Sequence, residues 1–226
     1  MGTIRAHRAD EYITLINLFT MRPEDQLGLT RVQLGDMYWY GKQQPDAISA
    51  NFHRSLDGVR FFNYAQWRSV EGLRRARETP DFKTHISNYR YFEMTGDPRM
   101  YEVVRTSFDR PVELRWPSRL AVSLEVLSTR PADQTEVLRI AGDALRALEA
   151  HPGLLGAALH RGLDGERVAL YAQWRDETAL TEGLALPGVR EAEAALTALE
   201  PARDRRIYEL AGTSDDVSPA PSPWTR

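Results

Sequence analysis

Two asparagine side chains stand where the pattern calls for apolar ones. Asn63 lies in segment 60–67, whose alternation places it on the same strand face as Trp67. Asn17 lies within the β-branched and aromatic segment 12–21, again on an apolar face. A buried amide without partners costs about 1–3 kcal/mol. The two amides therefore indicate a cavity that holds water or a ligand; the alternative is that backbone groups satisfy them.

Side chains on two predicted helices could complete such a cavity. Tyr89 follows helical spacing on the helix predicted over 81–93, and Arg90 lies beside it. Arg90 could stabilise an anion or be an ordinary surface charge. Tyr38 and Trp39 belong to an aromatic run that could face a flat ring system, or could simply be core.

The elements that position these residues occur twice in the chain. His-Arg-Ser-Leu-Asp-Gly at 53–58 returns as His-Arg-Gly-Leu-Asp-Gly at 160–165, and Tyr-Ala-Gln-Trp-Arg at 64–68 returns at 171–175. The separation is 107 residues in both cases, and Arg22-Pro23 matches Arg130-Pro131 at 108. A period of this length indicates a duplicated domain.

Each copy is predicted to follow the order β-α-β-β-α-α-β. In the first copy the predicted elements are a strand at 12–21, a helix from Pro23 to near Gly41, a strand through Phe52, an Asp57-Gly58 turn, a strand at 60–67, helices at 69–78 and 81–93, and a strand at 99–105. The fold class is α+β, with two ferredoxin-like repeats. A sheet with helices on one face must bury its other face, so the repeats are expected to pair as an α+β barrel.

The same pattern predicts the domain boundaries. Residues 1–107 form the N-terminal repeat and 119–212 the C-terminal repeat, with a linker at 108–118 that contains two prolines. Residues 213–226 are polar and proline-rich and are predicted to be a disordered tail.

The two copies differ at the candidate cavity. Leu170 corresponds to Asn63, on a strand face that is wholly apolar in the second copy. The working pocket is therefore predicted in the first repeat, with the second as scaffold. Glu125 corresponds to Asn17 and complicates that prediction, because it could serve as a base or bond the indole N–H of Trp174.

Composition excludes several classes of protein. The 29 basic and 32 acidic residues form no basic run that would bind nucleic acid, and no segment approaches the roughly 20 apolar residues that span a bilayer. The first residues lack the apolar segment of a signal peptide, so a cytoplasmic location is expected. Cysteine is absent and the five histidines lack metal-ligand spacing, so no metal site is predicted.

The Asn-Tyr-Ala-Gln-Trp motif at 63–67, behind its His-Arg-Ser-Leu-Asp-Gly hairpin, resembles the antibiotic biosynthesis monooxygenase family. The resemblance covers both halves and implies a dimeric-type α+β barrel. It also implies oxidation of anthrones to quinones with dioxygen, without metal or tightly bound flavin. By resemblance, the catalytic residues are Asn17, Asn63, Trp67 and Arg90.

The tandem arrangement resembles the duplicated members of this family that open a ring of angucycline polyketides. That resemblance implies reduced flavin (FADH2 or FMNH2) as a diffusible reductant, with a flavin reductase as a partner. Haem-degrading relatives carry an iron-ligating His about ten residues after the Trp, where this chain has Arg77. Haem binding is thus disfavoured, although His85 lies nearby.

The resemblance therefore implies a metal-independent oxygenase that uses dioxygen to oxidise a hydroxyanthrone or angucyclinone intermediate of antibiotic biosynthesis. The predicted substrate-binding residues are Tyr38, Trp39, Phe61, His85 and Tyr89. The alternative from another class is a non-catalytic domain that binds or chaperones a hydrophobic polyketide intermediate. The repeats could pair within one chain or across a homodimer.

Overall fold

Both repeats fold in the predicted order of strands and helices. The computed structural model describes residues 2–39, 44–114 and 119–214. The elements of the first half are β1 (Gly2–Ile4), β2 (Ile13–Met21), α1 (Pro23–Trp39), β3 (Ala47–Ser55), β4 (Arg60–Trp67), α2 (Val70–Glu78), α3 (Pro80–Ser87) and β5 (Met94–Thr106). After β6 (Val112–Leu114), the second half comprises β7 (Ala121–Ser128), α4 (Gln134–Leu148), β8 (Leu154–Gly162), β9 (Arg167–Trp174), α5 (Glu177–Leu184), α6 (Pro187–Thr197) and β10 (Ala202–Thr213).

Equivalent residues set the hairpins of the two repeats. Gly58 and Gly165 adopt φ values of 80° and 81°, the positive φ that an Asp-Gly turn requires. The Gln26 side chain of α1 donates to the carbonyl of Ser55 at 2.9 Å, and Gln134 of α4 makes the equivalent bond to Gly162 at 2.7 Å. Each first helix is therefore fixed against its own hairpin.

Eight strands close into a single barrel in the order β10-β3-β4-β2-β5-β8-β9-β7. Pairing is antiparallel throughout. Two seams join the repeats, one where β5 pairs with β8 and one where β10 pairs with β3. The predicted α+β barrel is thus confirmed, and its two halves belong to one chain.

The barrel interior is built by both repeats. Its core includes Tyr64, Tyr171 and Tyr208 among aliphatic side chains of both sheets. His53 lies 3.2 Å from the Tyr171 hydroxyl, and His160 lies 2.8 Å from that of Tyr64. These two pairs are related by the duplication, and each joins one repeat to the other. Burial lowers the pKa of His53 to about 3 and that of His160 to about 4, so both rings are neutral at pH 7.

The seams carry matched ion pairs. Arg54–Glu209, Arg60–Asp204 and Arg206–Asp57 lie at one seam, and their counterparts Arg161–Glu102, Arg167–Asp97 and Arg99–Asp164 lie at the other. Each pair joins the two repeats. The repeats therefore dock with approximate two-fold symmetry, because equivalent surfaces of the two repeats contact each other.

The helices cover the outer faces of the two sheets. Beneath α1 and α2, Leu29 and Leu73 pack against Phe19, Phe52 and Phe61 of the first sheet. The second repeat has a separate outer core that includes Val137, Leu145 and Trp174. The site predicted on the Asn63 face thus lies outside the barrel, between sheet and helices.

Several boundaries differ from the prediction. The segment predicted as a linker contains β6, which pairs with β1 beside the barrel, and neither three-residue strand has a pattern that distinguishes it from coil. The last α-helix of the first repeat ends at Ser87 and continues as a 3-10 helix over Asn88–Tyr91. β10 extends to Thr213 and Ser214 is buried, so the repeat ends beyond residue 212. Residues 215–226 lie outside the described part of the chain.

Candidate active site

A cavity of about 360 Å³ lies between the first sheet and its helices. Asn17 on β2 and Asn63 and Trp67 on β4 form its sheet side, and the helical side includes Gln33, Asp36, Arg77, His85 and Tyr89. Ser214, which follows β10, also lines the cavity and belongs to the end of the second repeat. The structure therefore brings together Asn17, Asn63, Trp67, His85 and Tyr89, as the sequence predicted.

The two asparagines are direct neighbours across the sheet. Asn17 pairs with Asn63 in the antiparallel register of β2 and β4, so their side chains lie side by side on the cavity face. Both Oδ1 atoms are buried and lack a hydrogen-bond partner among the described residues. Rotating an amide by 180° exchanges its oxygen and nitrogen, so each side chain presents either an acceptor or a donor to a ligand.

Trp67 adds an unused donor to the same wall. Its indole Nε1 is buried and finds no acceptor within the described ranges. The equivalent Trp174 donates to the Ser123 hydroxyl at 3.2 Å. Leu15 occupies the position of Ser123 in the first repeat, so the indole of Trp67 has lost that acceptor. A ligand carbonyl or a water would restore the bond.

On the opposite wall of the cavity, four polar side chains are joined by hydrogen bonds, and the sequence predicted two of them. Asp36 Oδ2 lies 2.5 Å from His85 Nδ1, and His85 Nε2 lies 2.6 Å from the Tyr89 hydroxyl. The Gln33 amide nitrogen also donates to that hydroxyl. His85 and Tyr89 were predicted, whereas Gln33 and Asp36 were missed. A signal existed, because the corresponding positions of α4 are Ala141 and Ala144.

Arg90 lies elsewhere than predicted. It is exposed on the 3-10 helix, where it donates to the Tyr91 hydroxyl at 2.8 Å, and it is not one of the described residues that line the cavity. The prediction assumed a continuous α-helix over 81–93. The tighter 3-10 turn changes the direction of successive side chains, so Tyr89 reaches the cavity and Arg90 does not. The guanidinium at the cavity belongs to the exposed Arg77.

The remaining predicted binding residues have other positions. Phe61 is fully buried and packs against Phe19 and Phe52 on the same sheet face as Asn63, and it is not among the described residues that line the cavity. It supports the wall without lining it. Tyr38 and Trp39 belong to α1, but their side chains lie outside the described part of the structure.

In the second repeat, the equivalent space is filled. The cavity beside Leu170 is about 20 Å³. Glu125 lies opposite Leu170, as Asn17 lies opposite Asn63. Glu125 is paired with Arg203 at the edge of that space and with Arg205 at 2.9 Å, so it does not bond the Trp174 indole. The first repeat has Gly96 and Pro98 at the two arginine positions, where no charged side chain closes the space.

The chain matches the family model described as antibiotic biosynthesis monooxygenase over residues 123–195. The matched segment lies in the second repeat, the one whose cavity is filled. The chain is also 34% identical over 76 residues to tetracenomycin-F1 monooxygenase of Streptomyces glaucescens, covering 34% of this chain and 68% of that protein. The chain belongs to the antibiotic biosynthesis monooxygenase family.

Solved structures share the whole architecture. An anthrone oxidase-like protein superposes with a TM-score of 0.83 at 22% identity, covering 94% of this chain and 95% of the other. A candidate monooxygenase from Fusobacterium nucleatum superposes with a TM-score of 0.69 at 8% identity, covering 91% and 95%. At these identities the likeness establishes the fold, including the tandem arrangement across nearly the full chain.

Within residues 2–39, 44–114 and 119–214, no group of three or more His, Cys, Asp or Glu side chains is arranged to hold a metal ion. None of the helices in those ranges has the length and apolar character needed to cross a membrane.

Proposed function

We propose that the protein is an oxygenase that uses dioxygen to oxidise a polycyclic aromatic polyketide of the hydroxyanthrone or angucyclinone type. The reaction takes place in the first repeat, and the second repeat is scaffold. One observation carries the proposal: on one wall of a 360 Å³ cavity, Asn17, Asn63 and Trp67 each keep a buried polar atom that has no hydrogen-bond partner in the described part of the chain. Leaving three such atoms without partners costs folding free energy, and a ligand bound in the cavity would satisfy them.

The chemistry of these atoms fits a hydroxylated aromatic ketone. A ligand hydroxyl donates to an amide oxygen, and a ligand carbonyl accepts from the Trp67 indole N–H. Apolar side chains such as Leu15, Phe52 and Leu73 supply the remaining surface for a ring system. The names of the relatives, tetracenomycin-F1 monooxygenase and anthrone oxidase-like protein, support the same substrate class.

Dioxygen is a triplet and reacts slowly with closed-shell molecules, so the substrate must first become electron-rich. Loss of a proton from an anthrone gives an anion that can pass one electron to dioxygen. With their amides rotated so that the nitrogen faces the ligand, Asn17 and Asn63 would stabilise the charge on the substrate oxygen together with the indole N–H of Trp67. Each preorganised donor contributes on the order of 3 kcal/mol to the transition state. The methylene carbon then loses two hydrogens and gains one oxygen atom, and the second oxygen atom leaves as water.

The proposal requires dioxygen as co-substrate and no tightly bound cofactor. Oxidation of an anthrone to a quinone is balanced without a reductant, whereas oxidative ring opening needs two further electrons. Reduced flavin supplied by a separate reductase would fill that need for an angucyclinone. The two reactions are therefore distinguished by their dependence on reductant.

Oxygen uptake by the full-length chain tests the proposal. We expect 1,8-dihydroxyanthrone to be converted to its anthraquinone with one dioxygen consumed for each product, without added flavin. A parallel reaction with dehydrorabelomycin, with and without reduced flavin, examines ring opening. Binding of both compounds with no oxygen uptake in any reaction would contradict the oxygenase and favour the carrier alternative.

A further inference from the structure

The polar wall of the cavity is a continuous chain of hydrogen bonds. It runs from Asp36 on α1 through His85 on α3 to the Tyr89 hydroxyl, which also contacts Gln33. All four residues line the cavity. The chain therefore connects a carboxylate to a phenolic oxygen at the position where a substrate binds.

The donor and acceptor chemistry fixes the direction of this chain. An ionised Asp36 can only accept, so in the neutral imidazole that a relay requires, His85 carries its proton on Nδ1 and presents Nε2 as an acceptor. The Tyr89 hydroxyl donates to Nε2 and accepts from the Gln33 amide nitrogen, which leaves the phenolic oxygen one further lone pair. A ligand hydroxyl could donate to that lone pair.

The fold does not require these polar groups. At the four corresponding positions the second repeat has Ala141, Ala144, Ala192 and Leu196. Three of these, Ala141, Ala144 and Leu196, border the small filled space beside Leu170. The same helices and sheet therefore pack with apolar side chains, and the polar chain in the first repeat serves something other than folding.

We infer that Asp36, His85 and Tyr89 form a proton relay that ionises the bound substrate, an inference that rests on the proposed oxygenase function. The substrate O–H or benzylic C–H bond breaks and its proton goes to the Tyr89 oxygen, while the proton of Tyr89 moves to His85 Nε2. The products are a substrate anion and an imidazolium, which the Asp36 carboxylate stabilises. Asp36 acts as a positioning residue, whereas Tyr89 contacts the substrate.

The charges around the relay suit this step. The ionisable side chains that line the cavity in the described part of the chain are Asp36, Arg77, His85 and Tyr89. Burial raises the pKa of Tyr89, so its hydroxyl stays protonated at rest and releases its proton to His85 only as it takes up the proton of the substrate. The relay selects for substrates with an acidic hydroxyl or anthrone methylene, and it excludes compounds that have neither group.

Anaerobic binding isolates the proton transfer from oxidation. Without dioxygen, we expect the wild-type chain to bind 1,8-dihydroxyanthrone at pH 7 and show the absorption band of its anion. Tyr89→Phe and His85→Gln should bind the same compound in its neutral form. A merely structural role for these residues would change affinity without changing which form is bound.

Steady-state oxygen uptake measures the contribution to rate. Asp36→Asn, His85→Gln and Tyr89→Phe should lower kcat at pH 7 by about 100-fold, the usual effect of a general base, with KM changed far less. The deficit should shrink as the pH rises, because hydroxide then removes the substrate proton. The matched control is Glu182→Gln, which removes the carboxylate 3.4 Å from His151 in the second repeat and should leave kcat unchanged.

The outcomes separate the relay from the function on which it rests. If the wild-type chain oxidises the anthrone and the three variants match its kcat and its anion band, the relay is wrong and the oxygenase stands. If the wild-type chain neither binds nor oxidises the anthrone, the proposed function fails and the relay fails with it. Thermal melting of each variant shows whether a loss of activity comes from unfolding. If Asp36→Asn or His85→Gln unfolds, the kcat and anion band of Tyr89→Phe, which keeps the aromatic ring, decide whether the relay exists.

Discussion

The two repeats share a strand order, a hairpin and a docking surface, yet they differ in the space beneath their helices. In the first, Asn17 faces Asn63 across a cavity of about 360 Å³. In the second, Glu125 faces Leu170, and ion pairs and hydrocarbon leave about 20 Å³. The barrel interior, by contrast, keeps equivalent His–Tyr pairs in both. Polar groups that join the two repeats are thus present in both, whereas those around the cavity are present in one.

The largest expected effect on turnover comes from giving the first repeat the leucine that the second repeat has at the position of Asn63. Asn63→Leu should lower turnover of 1,8-dihydroxyanthrone by about 10²- to 10³-fold, because a preorganised donor is lost. The melting temperature should stay unchanged or rise, since a buried unpaired amide oxygen is replaced by hydrocarbon. The reciprocal control, Leu170→Asn, should lower the free energy of unfolding and leave turnover intact. Wild-type turnover by Asn63→Leu would remove Asn63 from the mechanism.

The shared interior predicts a pH effect on stability to which both repeats contribute. The folded pKa values of His53 and His160, about 3 and about 4, lie below the ordinary 6.5. Below pH 6.5 the unfolded chain binds protons that the folded chain does not, so the free energy of unfolding falls as the pH drops. At pH 5 the loss is about 2 kcal/mol for each histidine relative to pH 7.

Denaturant unfolding at pH 7, 6 and 5 measures this loss. His160→Gln should remove about half of the pH dependence attributed to the pair, and His53→Gln the other half. A pH dependence unchanged in both variants would show that the histidines are not the groups that titrate.

The two tryptophans should respond in opposite ways to the same substitution. Trp67→Phe removes an indole N–H that has no acceptor among the described residues, and it should lower kcat by about 10- to 100-fold with a smaller loss of stability than Trp174→Phe, because no hydrogen bond is broken. Trp174→Phe removes the bond to Ser123 and should lower the free energy of unfolding by about 1–2 kcal/mol with kcat unchanged. Oxygen uptake and thermal melting of the two variants, side by side, make the comparison. Equal losses of stability would contradict distinct roles.

The smallest effect concerns Glu125. Its partners Arg203 and Arg205 have side chains that are 29% and 27% exposed, so Glu125→Gln should cost about 1 kcal/mol of stability. When Glu125→Gln is combined with Asn63→Leu, the oxygen uptake that remains in Asn63→Leu should not fall further. A further fall there would reveal chemistry in the second repeat and weaken the contrast between the two halves.

Much of the fold follows from the duplication. The hairpin motif and the Asp-Gly turns fixed the register of β3 and β4, so the faces of Asn63 and Leu170 were predictable. The three-residue strands β1 and β6 were not, because so short a strand has no periodicity to detect. The extension of β10 depends on pairing with β3 and not on its own residues.

The candidate site was predictable where a polar residue interrupts the apolar pattern on one face of a strand. Asn17, Asn63 and Trp67 share one strand face, and alternation alone brings them together. Gln33 and Asp36 lie on a helix, where polar residues usually face solvent, and only the packing of α3 shows that they face inward. The prediction that Arg90 lines the cavity was wrong because the chain forms a 3-10 turn there and not an α-helical turn. The two turns differ by one residue in the spacing of their hydrogen bonds, and the pattern of side chains does not reveal that difference.

The matched ion pairs at the two seams have an evolutionary consequence. Surfaces that complement themselves in this way are the interfaces of homodimers, in which every substitution is made in both subunits. Joining the two copies in one polypeptide ended that constraint. One half became free to fill the space beneath its helices, while the other kept an open cavity that a symmetric homodimer would carry in both subunits.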